Sequence, residues 1–368
     1  MSLSRVLVNM LWCVPGKVGG SEEYLVRQLL GLAEQPAPQW RPTVAVARGL
    51  AAVHPELHDV AKVVEPHFDS SSRARRIAGE ATWLRQHSAG VALVHHGGGT
   101  APARAHRPYV LTIHDLQFRT YPQYFSRQKR LYLGSVIPSS ARRATVVAVP
   151  SDYVRESVIS AYGVHPERVM VVPHGIEPAL AHEVTPADEL RLRYRLGDGP
   201  IIVYPAVTHP HKQHQFLLDM MRHHWLDPDL RLVLIGGAGM ADAQVAAALD
   251  PRVLRLGRVP AADRNGLLAM ALAMVFPSQY EGFGAPLIEA MTLGAPVVCS
   301  AATCMPQVVG AAGLVRPLQP EAWAGVLDEV SDRREELVAA GHERATHFTS
   351  RASGAALAAV YTRALQSA

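Results

Sequence analysis

The sequence lacks any apolar run long enough to cross a bilayer. Its longest run, Leu267 to Phe276, has about half of the roughly 20 residues that a membrane-spanning helix needs. A signal peptide is not visible either, because Arg5 is followed by only a short apolar strand. We therefore expect a soluble protein with a cytoplasmic location.

Cysteine and charge are also scarce. Only three cysteines occur, Cys13, Cys299 and Cys304, and they sit in or near apolar runs. We expect them to be reduced thiols in the core. Charged residues make up 18% of the chain, and the formal net charge is only +4. This mild basic excess suits an anionic substrate or membrane surface and does not require nucleic acid.

The chain is long enough for two domains. Its 368 residues exceed one ordinary domain, and its 48% hydrophobic content excludes a disordered chain. Short apolar runs such as Val6–Leu11, Thr145–Val149 and Ile201–Tyr204 end at loops and alternate with helical periodicity. This pattern is typical of buried parallel strands joined by helices, so the expected fold class is α/β.

The most informative stretch is Glu281-Gly-Phe-Gly-Ala-Pro-Leu-Ile-Glu289. Its two carboxylates stand eight positions apart, with two glycines and then Pro286 between them. Glycine allows a tight turn, and proline favours a helix start, so we expect a helix from about Pro286 with Glu289 in its first turn. The N–H groups of the three residues after the proline should be free to bind an anion. Because an apolar strand, Ala273–Pro277, precedes this stretch, it predicts a phosphate site at the carboxyl edge of a sheet.

These residues also carry a resemblance to a known family. The spacing of Glu281 and Glu289 resembles the E-x7-E signature of retaining glycosyltransferases of family 4, and the match runs unbroken from Pro277 through the strand after Gly294. The resemblance implies the GT-B architecture, two doubly wound, Rossmann-like parallel-sheet domains with an interdomain cleft. It implies an acceptor-binding domain over residues 1–178 with a C-terminal helix at about 353–368, and a donor-binding domain over residues 179–352.

The resemblance also implies roles for residues of the second half. Glu281 would hold hydroxyls of the donor sugar, Glu289 the ribose, and Lys212 the diphosphate. Many family members carry an arginine a few residues before this lysine, whereas this chain has Ala206-Val-Thr208. Thr208 or a nearby histidine is the expected substitute. The full donor-binding set comprises Gly19, Gly20, Thr208, Lys212, Val259, Glu281, Gly282, Phe283, Gly284, Ala285, Leu287 and Glu289.

The first half contributes a histidine motif. Tyr109-Val-Leu-Thr-Ile-His114-Asp115 resembles the family's strand that ends in His-Asp, which implies that His114 lies close to the donor hexose. We therefore take His114 as catalytic together with Lys212 and Glu281. Adjacent His95 and His96 point in opposite directions if they lie on a strand, so at most one should line a site.

Other patterns give little support for a metal or a cofactor. His209, His211 and His214 fit no common zinc spacing, and Asp227-Pro-Asp229 is typical of a turn. The glycines of residues 236–239 lack the third glycine of a dinucleotide-binding fingerprint. We expect no metal and no cofactor, with a nucleoside-diphosphate sugar as the donor substrate.

Two basic segments have alternative interpretations. Residues 70–76 are either a mobile loop near the acceptor or a solvated surface segment, and the second is favoured. A second group forms either a solvated face, which is favoured, or a contact with anionic lipid at the inner face of the membrane. This group comprises Arg127, Lys129, Arg130, Arg142 and Arg143.

A serine at position 21 is expected to cap the first helix.

The resemblance implies transfer of a hexose, with retention, to a hydroxyl of a glycan, lipid-linked or small-molecule acceptor. Pro210-His-Lys212 resembles bacterial mannosyltransferases of surface polysaccharides, so GDP-mannose is the first candidate for the donor. Two other classes stay open. One is a different GT-B enzyme, such as a sugar-nucleotide epimerase or a phosphorylase, and the other is a non-enzymatic nucleic-acid binder.

Overall fold

A computed structural model describes residues 3–16, 18, 20–36 and 39–367 of the chain. The chain divides into two compact units. The first unit comprises Met1–Gly175 and Thr349–Ala368, and the second comprises Ile176–Phe348.

Strands and helices alternate along both units. The strands are β1 (Ser4–Met10), β2 (Trp40–Val46), β3 (Lys62–Val64), β4 (Leu93–His96), β5 (Tyr109–Thr112), β6 (Val146–Val149), β7 (Val169–Val171), β8 (Ile201–Pro205), β9 (Arg231–Ile235), β10 (Val253–Gly257), β11 (Ala273–Phe276), β12 (Val297–Ser300) and β13 (Leu314–Arg316). The helices are α1 (Gly20–Ala33), α2 (Leu50–Val53), α3 (Leu57–Val60), α4 (Arg73–Ala81), α5 (Trp83–His87), α6 (Gln117–Thr120), α7 (Arg127–Arg143), α8 (Asp152–Tyr162), α9 (Ala187–Tyr194), α10 (His214–His223), α11 (Asp242–Ala247), α12 (Ala261–Ala269), α13 (Ala285–Thr292), α14 (Met305–Val309), α15 (Pro320–Trp323), α16 (Val326–Asp332), α17 (Arg334–Ala345) and α18 (Ser350–Gln366).

Within its described residues, the first unit is built on a seven-stranded sheet in the order β3-β2-β1-β4-β5-β6-β7. All neighbouring strands are parallel. Side chains of β1 alternate between two cores, as a strand period of two requires. Val6, Val8 and Met10 join the core that includes α1 and α18, and Leu7 joins the core on the other face.

The last helix, α18, packs directly against the first helix, α1. Gly31 of α1 and Gly354 of α18 meet so closely that a Cβ atom on Gly31 would lie 1.7 Å from the carbonyl oxygen of Ser350. Only glycine permits this approach of two helix backbones. Helix α18 begins at Ser350 and is capped by Thr349, whose hydroxyl accepts the N–H of Ala352 at 3.1 Å.

One local expectation needs correction. Helix α1 begins at Gly20, so Ser21 lies inside the helix and not at its cap. Segment 70–76 is largely exposed, as favoured, because the buried residues of α4, Gly79 and Glu80, lie after it. A Cβ on Gly79 would lie 2.0 Å from the ring of Phe68, so this part of α4 packs closely against that ring.

The second unit is built on a six-stranded parallel sheet in the order β10-β9-β8-β11-β12-β13, again within the described residues. The strand order reverses between β8 and β11, and ligands of such sheets bind at the carboxyl ends of the strands at this switch point. The predicted turn at Asp227 is confirmed, because its side chain accepts the N–H of Asp229 at 2.9 Å.

Both histidines of β4 are buried in the first unit. His95 is hydrogen-bonded through Nδ1 to the Tyr361 hydroxyl at 2.9 Å and through Nε2 to Thr112 at 2.7 Å. The Asn9 amide donates to Nδ1 of His96 at 3.2 Å. Burial lowers the pKa of both imidazoles to about 3, so both are neutral at pH 7.

Acid should therefore destabilise the protein well above pH 3. Below pH 6.5 the unfolded chain protonates these histidines while the folded chain does not, so stability is lost as the pH falls. Each such histidine contributes about 2 kcal/mol to the loss between pH 7 and pH 5. Thermal melts at the two pH values should show a lower melting temperature at pH 5. His96→Gln should reduce this pH dependence, and substitution of exposed His165 by Gln should leave it unchanged. Equal or greater stability at pH 5 would contradict this prediction.

Candidate active site

The switch point of the second sheet brings together two residues that are far apart in sequence. Lys212 follows β8, and Glu281 follows the neighbouring strand β11. Nζ of Lys212 lies 2.5 Å from Oε1 of Glu281. Their side chains are only 18% and 14% exposed, so this ion pair is largely removed from water.

The backbone around Lys212 is held by a buried tyrosine. The Tyr204 hydroxyl donates to the carbonyl of Lys212 at 2.6 Å and lies 3.2 Å from Oγ of Ser278, which follows β11. The N–H of Gln279 donates to the carbonyl of His211 at 2.8 Å. These bonds tie the loop after β8 to the loop after β11. Burial raises the pKa of Tyr204, so its hydroxyl remains a donor.

The backbone of Glu281 is held by two residues that follow β12. Its N–H donates to Oγ1 of Thr303 at 3.1 Å, and the Cys304 thiol donates to its carbonyl oxygen at 3.3 Å. Thr303 has a φ of +53°, which is uncommon for a β-branched residue. Thr303 is not among the residues predicted from sequence, because no local pattern shows that it reaches a residue 22 positions earlier.

The glycine loop leads into α13, with two differences from expectation. Gly284 precedes the helix with a φ of +84°. The N–H of Leu287 is not free for an anion, because it donates to the carbonyl of Gly284 at 2.9 Å. Glu289 is not in the first turn, because α13 starts at Ala285 and Glu289 is therefore its fifth residue. Glu289 is 8% exposed and lies 4.0 Å from Nη1 of Arg264.

Three further expected donor-binding residues, Gly282, Phe283 and Val259, also lie in the second unit. Gly282 is half-buried in the loop between Glu281 and α13. The ring of Phe283 packs against Phe348, with centroids 5.5 Å apart, so it fills the core. Val259 lies half-buried in the loop between β10 and α12.

The Thr208 side chain is hydrogen-bonded to residues that follow β9. Its hydroxyl donates to Oδ1 of Asp242 at 3.0 Å and accepts the N–H of Gly239 at 2.7 Å. The hydroxyl hydrogen is therefore occupied and not available to a phosphate. Arg258 lies over this loop, since its Nε is 3.3 Å from the position of a Cβ on Gly237. Arg258 is therefore a further basic residue beside this loop, and no local motif in the sequence points to it.

His114 lies in the first unit, in the loop after β5. Its Nε2 is 2.8 Å from the carbonyl oxygen of Gly97, so Nε2 carries the hydrogen and donates it. Nδ1 is buried and has no partner among the described residues. The rings of Trp12 and Tyr24 lie 5.4 Å from the imidazole. Burial lowers the pKa of His114 to about 4, so it is neutral at pH 7.

The remaining expected residues of this unit are Gly19 and Gly20. Gly20 is the exposed first residue of the helix, and Gly19 lies outside the described residues. Among the residues that the structure describes, no three His, Cys, Asp or Glu side chains are placed to hold a metal ion. Within the same part of the chain, no helix is long and apolar enough to span a membrane.

Two doubly wound parallel-sheet units define the GT-B class of fold. Comparison with solved structures agrees with this class. The HepE protein of Anabaena, solved in complex with UDP and glucose, aligns over 98% of this chain and 99% of its own with a TM-score of 0.76. The sequence identity is 20%, so this likeness concerns the fold.

Sequence comparison defines the family. Residues 18–180 match the model described as Glycosyltransferase Family 4, and residues 199–333 match Glycosyl transferases group 1. O-antigen chain mannosyltransferase B of Escherichia coli is 32% identical over 271 residues, or 70% of each chain. D-inositol 3-phosphate glycosyltransferase of Stackebrandtia nassauensis is 28% identical, over 88% of this chain and 72% of its own.

The chain belongs to glycosyltransferase family 4, a family of retaining hexosyltransferases. It is a glycosyltransferase that takes its sugar from a nucleotide sugar. Membership of this family favours transfer over the epimerase, phosphorylase and nucleic-acid alternatives.

The contact between Thr303 and Glu281 predicts a positioning role for the threonine. Thr303→Val removes the acceptor of the Glu281 N–H and should lower kcat about tenfold, because Glu281 is expected to orient the donor sugar and small misplacements of an orienting group are costly. Thr303→Ser keeps the oxygen and should retain the wild-type rate. Steady-state transfer kinetics measure both. Equal activity of the valine and serine variants would contradict this role.

Proposed function

We propose that the enzyme transfers a hexose, with mannose as the first candidate, from a nucleoside-diphosphate sugar to an acceptor hydroxyl. The observation that carries the proposal is the Lys212–Glu281 ion pair at the switch point of the second sheet. The choice of mannose is supported by the likeness to O-antigen chain mannosyltransferase B and by the Pro-His-Lys sequence. The first unit is proposed to bind the acceptor and the second to bind the donor.

In this proposal the cations of the second unit act on the diphosphate. Negative charge grows on the leaving group as the glycosidic bond breaks, and a fixed cation nearby stabilises that charge. Lys212 is fixed before the reaction by Glu281 and by its tyrosine-bound backbone. Arg258, beside the loop after β9, is the proposed second cation in place of the family's arginine. The start of α13 supplies a further positive field through its dipole.

The two carboxylates and His114 are proposed to orient the sugar nucleotide. Glu281 accepts hydrogen bonds from hexose hydroxyls, and Glu289 accepts them from the ribose. Neutral His114 donates through Nε2 to Gly97, so its free Nδ1 lone pair can accept a hydrogen bond from a hexose hydroxyl. The low pKa of its imidazole keeps this acceptor available at neutral pH.

Retention is proposed to follow a path on one face of the sugar. The glycosidic bond breaks as the acceptor oxygen approaches the same face. The departing phosphate oxygen takes the proton of the acceptor hydroxyl, so no separate general base is needed. Lys212 stabilises the phosphate during this step.

The proposed acceptor is a glycan, a lipid-linked sugar or a small molecule.

The basic residues between positions 127 and 143 bear on the question of membrane contact. Arg142 donates to the carbonyl of Tyr162 at 3.0 Å, and Arg143 donates to that of Pro102 at 3.2 Å. These two arginines therefore stabilise the fold. A contact with anionic lipid would depend on residues 127–130, and a solvated face is the favoured interpretation of this segment.

The donor can be identified by ligand-induced stabilisation. A ligand that binds only the folded state raises the melting temperature. GDP-mannose should give the largest rise in a panel of nucleotide sugars, and incubation with an acceptor should then release GDP. A larger rise with a UDP-sugar would contradict the choice of mannose. No rise with any nucleotide sugar would contradict the proposed function.

The two carboxylates should differ in their kinetic effects. The ribose does not react, so loss of its contact should chiefly raise the donor KM, whereas hexose contacts can strengthen as charge develops. Glu281→Gln should therefore lower kcat strongly, and Glu289→Gln should chiefly raise KM. Free GDP should bind Glu281→Gln at least as well as wild type, because Lys212 loses its neutralising partner. The reverse order of the two variants in both assays would refute these roles.

A further inference from the structure

The first unit contains a cavity near the amino ends of β1, β2 and β3, with a volume of about 540 Å³. This volume is within the range of small-molecule ligand sites. His114 follows β5 and so lies at the carboxyl edge of the same parallel sheet, whereas the cavity lies at the amino edge. A ligand in this cavity would therefore not occupy the place proposed for the donor hexose.

Each of the three strands contributes one cation to the lining. Arg5 lies on β1, Arg41 on β2 and Lys62 on β3, and all three are exposed. Arg5 and Arg41 are direct partners in the sheet register. Lys62 is the partner of Thr43, two residues beyond Arg41, so it lies one strand further along the same edge.

The three cations lie on the same face of the sheet. Residues two apart on a strand share a face. Arg5 therefore shares a face with Leu7, and Arg41 shares one with Thr43 and Ala45. Leu7 and Ala45 belong to the same core.

Lys62 lies on this face as well. It stands two positions before Val64, which packs against the core that contains Leu7 and Ala45. The sheet thus places three positive charges side by side on one face, at positions that are neighbours in the register.

This arrangement leaves the cations without counter-charges. Among the residues that the structure describes, the side chains of Arg5, Arg41 and Lys62 form no ion pair and no hydrogen bond. Nη1 of Arg5 lies 3.6 Å from the position of a Cβ on Gly90, in the turn before β4, so its guanidinium stays at the amino edge. Like charges at neighbouring positions of a sheet destabilise it. A bound anion would remove this repulsion.

Two further titratable residues line the cavity, both on α3. They are His58 and Asp59, and both are exposed. The Asp59 carboxylate forms no ion pair with any cation in the described part of the chain. With a neutral His58, the lining carries three positive charges and one negative charge, so its net charge favours an anion.

We infer that this cavity binds a soluble anion that carries two or more linked phosphate groups. A guanidinium pairs with phosphate oxygens through parallel N–H donors, so the neighbouring Arg5 and Arg41 suit one phosphate group. Neighbouring strands are about 4.8 Å apart, so Lys62 suits a phosphate group linked to the first. Binding here is independent of the proposed function, because it uses none of the residues proposed to hold the donor.

A lipid headgroup could present the same phosphate chemistry. A soluble anion is favoured because the large apolar residues of the lining, Trp40, Pro42 and Val60, are half-buried. A surface that inserts into a membrane exposes such side chains instead.

Isothermal titration calorimetry of the full-length protein with sodium tripolyphosphate tests the site. Tripolyphosphate should bind wild type at least about tenfold more tightly than orthophosphate, because only the longer anion reaches both the arginines and Lys62. The affinity should fall as the salt concentration rises, since the cations are exposed and their charges are screened.

Substitutions on β2 and after it test the location. Arg41→Gln should weaken tripolyphosphate about tenfold, the cost of one charge-assisted contact, without lowering the melting temperature. Arg48→Gln is the matched control, because Arg48 is exposed, follows the opposite end of β2 and lies outside the lining. It should bind as wild type does.

Two further variants test the charge balance and the donor site. Asp59→Asn removes the carboxylate of the lining and should tighten tripolyphosphate about threefold, as expected for an exposed charge pair. Lys212→Ala removes the proposed diphosphate cation of the second unit. It should keep the binding that Arg41→Gln weakens.

Four outcomes would overturn the inference. These are no binding of tripolyphosphate to wild type, equal affinity for orthophosphate, equal affinity of Arg41→Gln and Arg48→Gln, and loss of all binding in Lys212→Ala. Co-sedimentation with vesicles of phosphatidylcholine and phosphatidylglycerol tests the lipid source. Sedimentation that depends on Arg41, without binding of tripolyphosphate, would replace the soluble anion by a lipid headgroup.

Discussion

Parallel strands place all their carboxyl ends at one edge of a sheet, and the chemistry of the second unit depends on this constraint. Because β8 and β11 are neighbours although their starts, Ile201 and Ala273, are 72 positions apart, the loops that follow them share a small volume. Lys212 and Glu281 meet there as a nearly buried ion pair. The same edge receives the residues after β12, which hold the backbone of Glu281.

A buried ion pair is expensive to desolvate and needs further hydrogen bonds to be held in one geometry. The structure provides them through backbone groups. Tyr204 holds the carbonyl of Lys212, while Thr303 and Cys304 hold the two backbone groups of Glu281. Tyr204 lies in β8, whereas Thr303 and Cys304 both follow β12. The geometry of the pair therefore depends on residues of other strands and loops, and a substitution outside the pair can still change its position.

Local sequence patterns predicted what is determined locally. The strand before Glu281, the glycine turn and the helix after it follow from residue types within a dozen positions, and the structure contains all three. The helix start was misplaced by one residue, because Pro286 occupies its second position and not its first. Thr303 and Arg258 were missed because their contacts join separate loops, and such pairings depend on strand order. For the same reason, the sequence could not show that Asp242 occupies the Thr208 hydroxyl.

Cations and neutral imidazoles have different tasks in the proposed site. The described edge of the second sheet places Lys212 and the start of α13 where a diphosphate is proposed to leave, and both favour negative charge. Both units also bury imidazoles in their neutral form, His114 in the first and His214 in the second, since burial disfavours their charged form. Neutral acceptors suit hydroxyl groups, whereas fixed cations suit phosphates. The unpaired Nδ1 of His114 therefore suits its proposed contact with a hydroxyl of the donor hexose, while Lys212 suits the diphosphate.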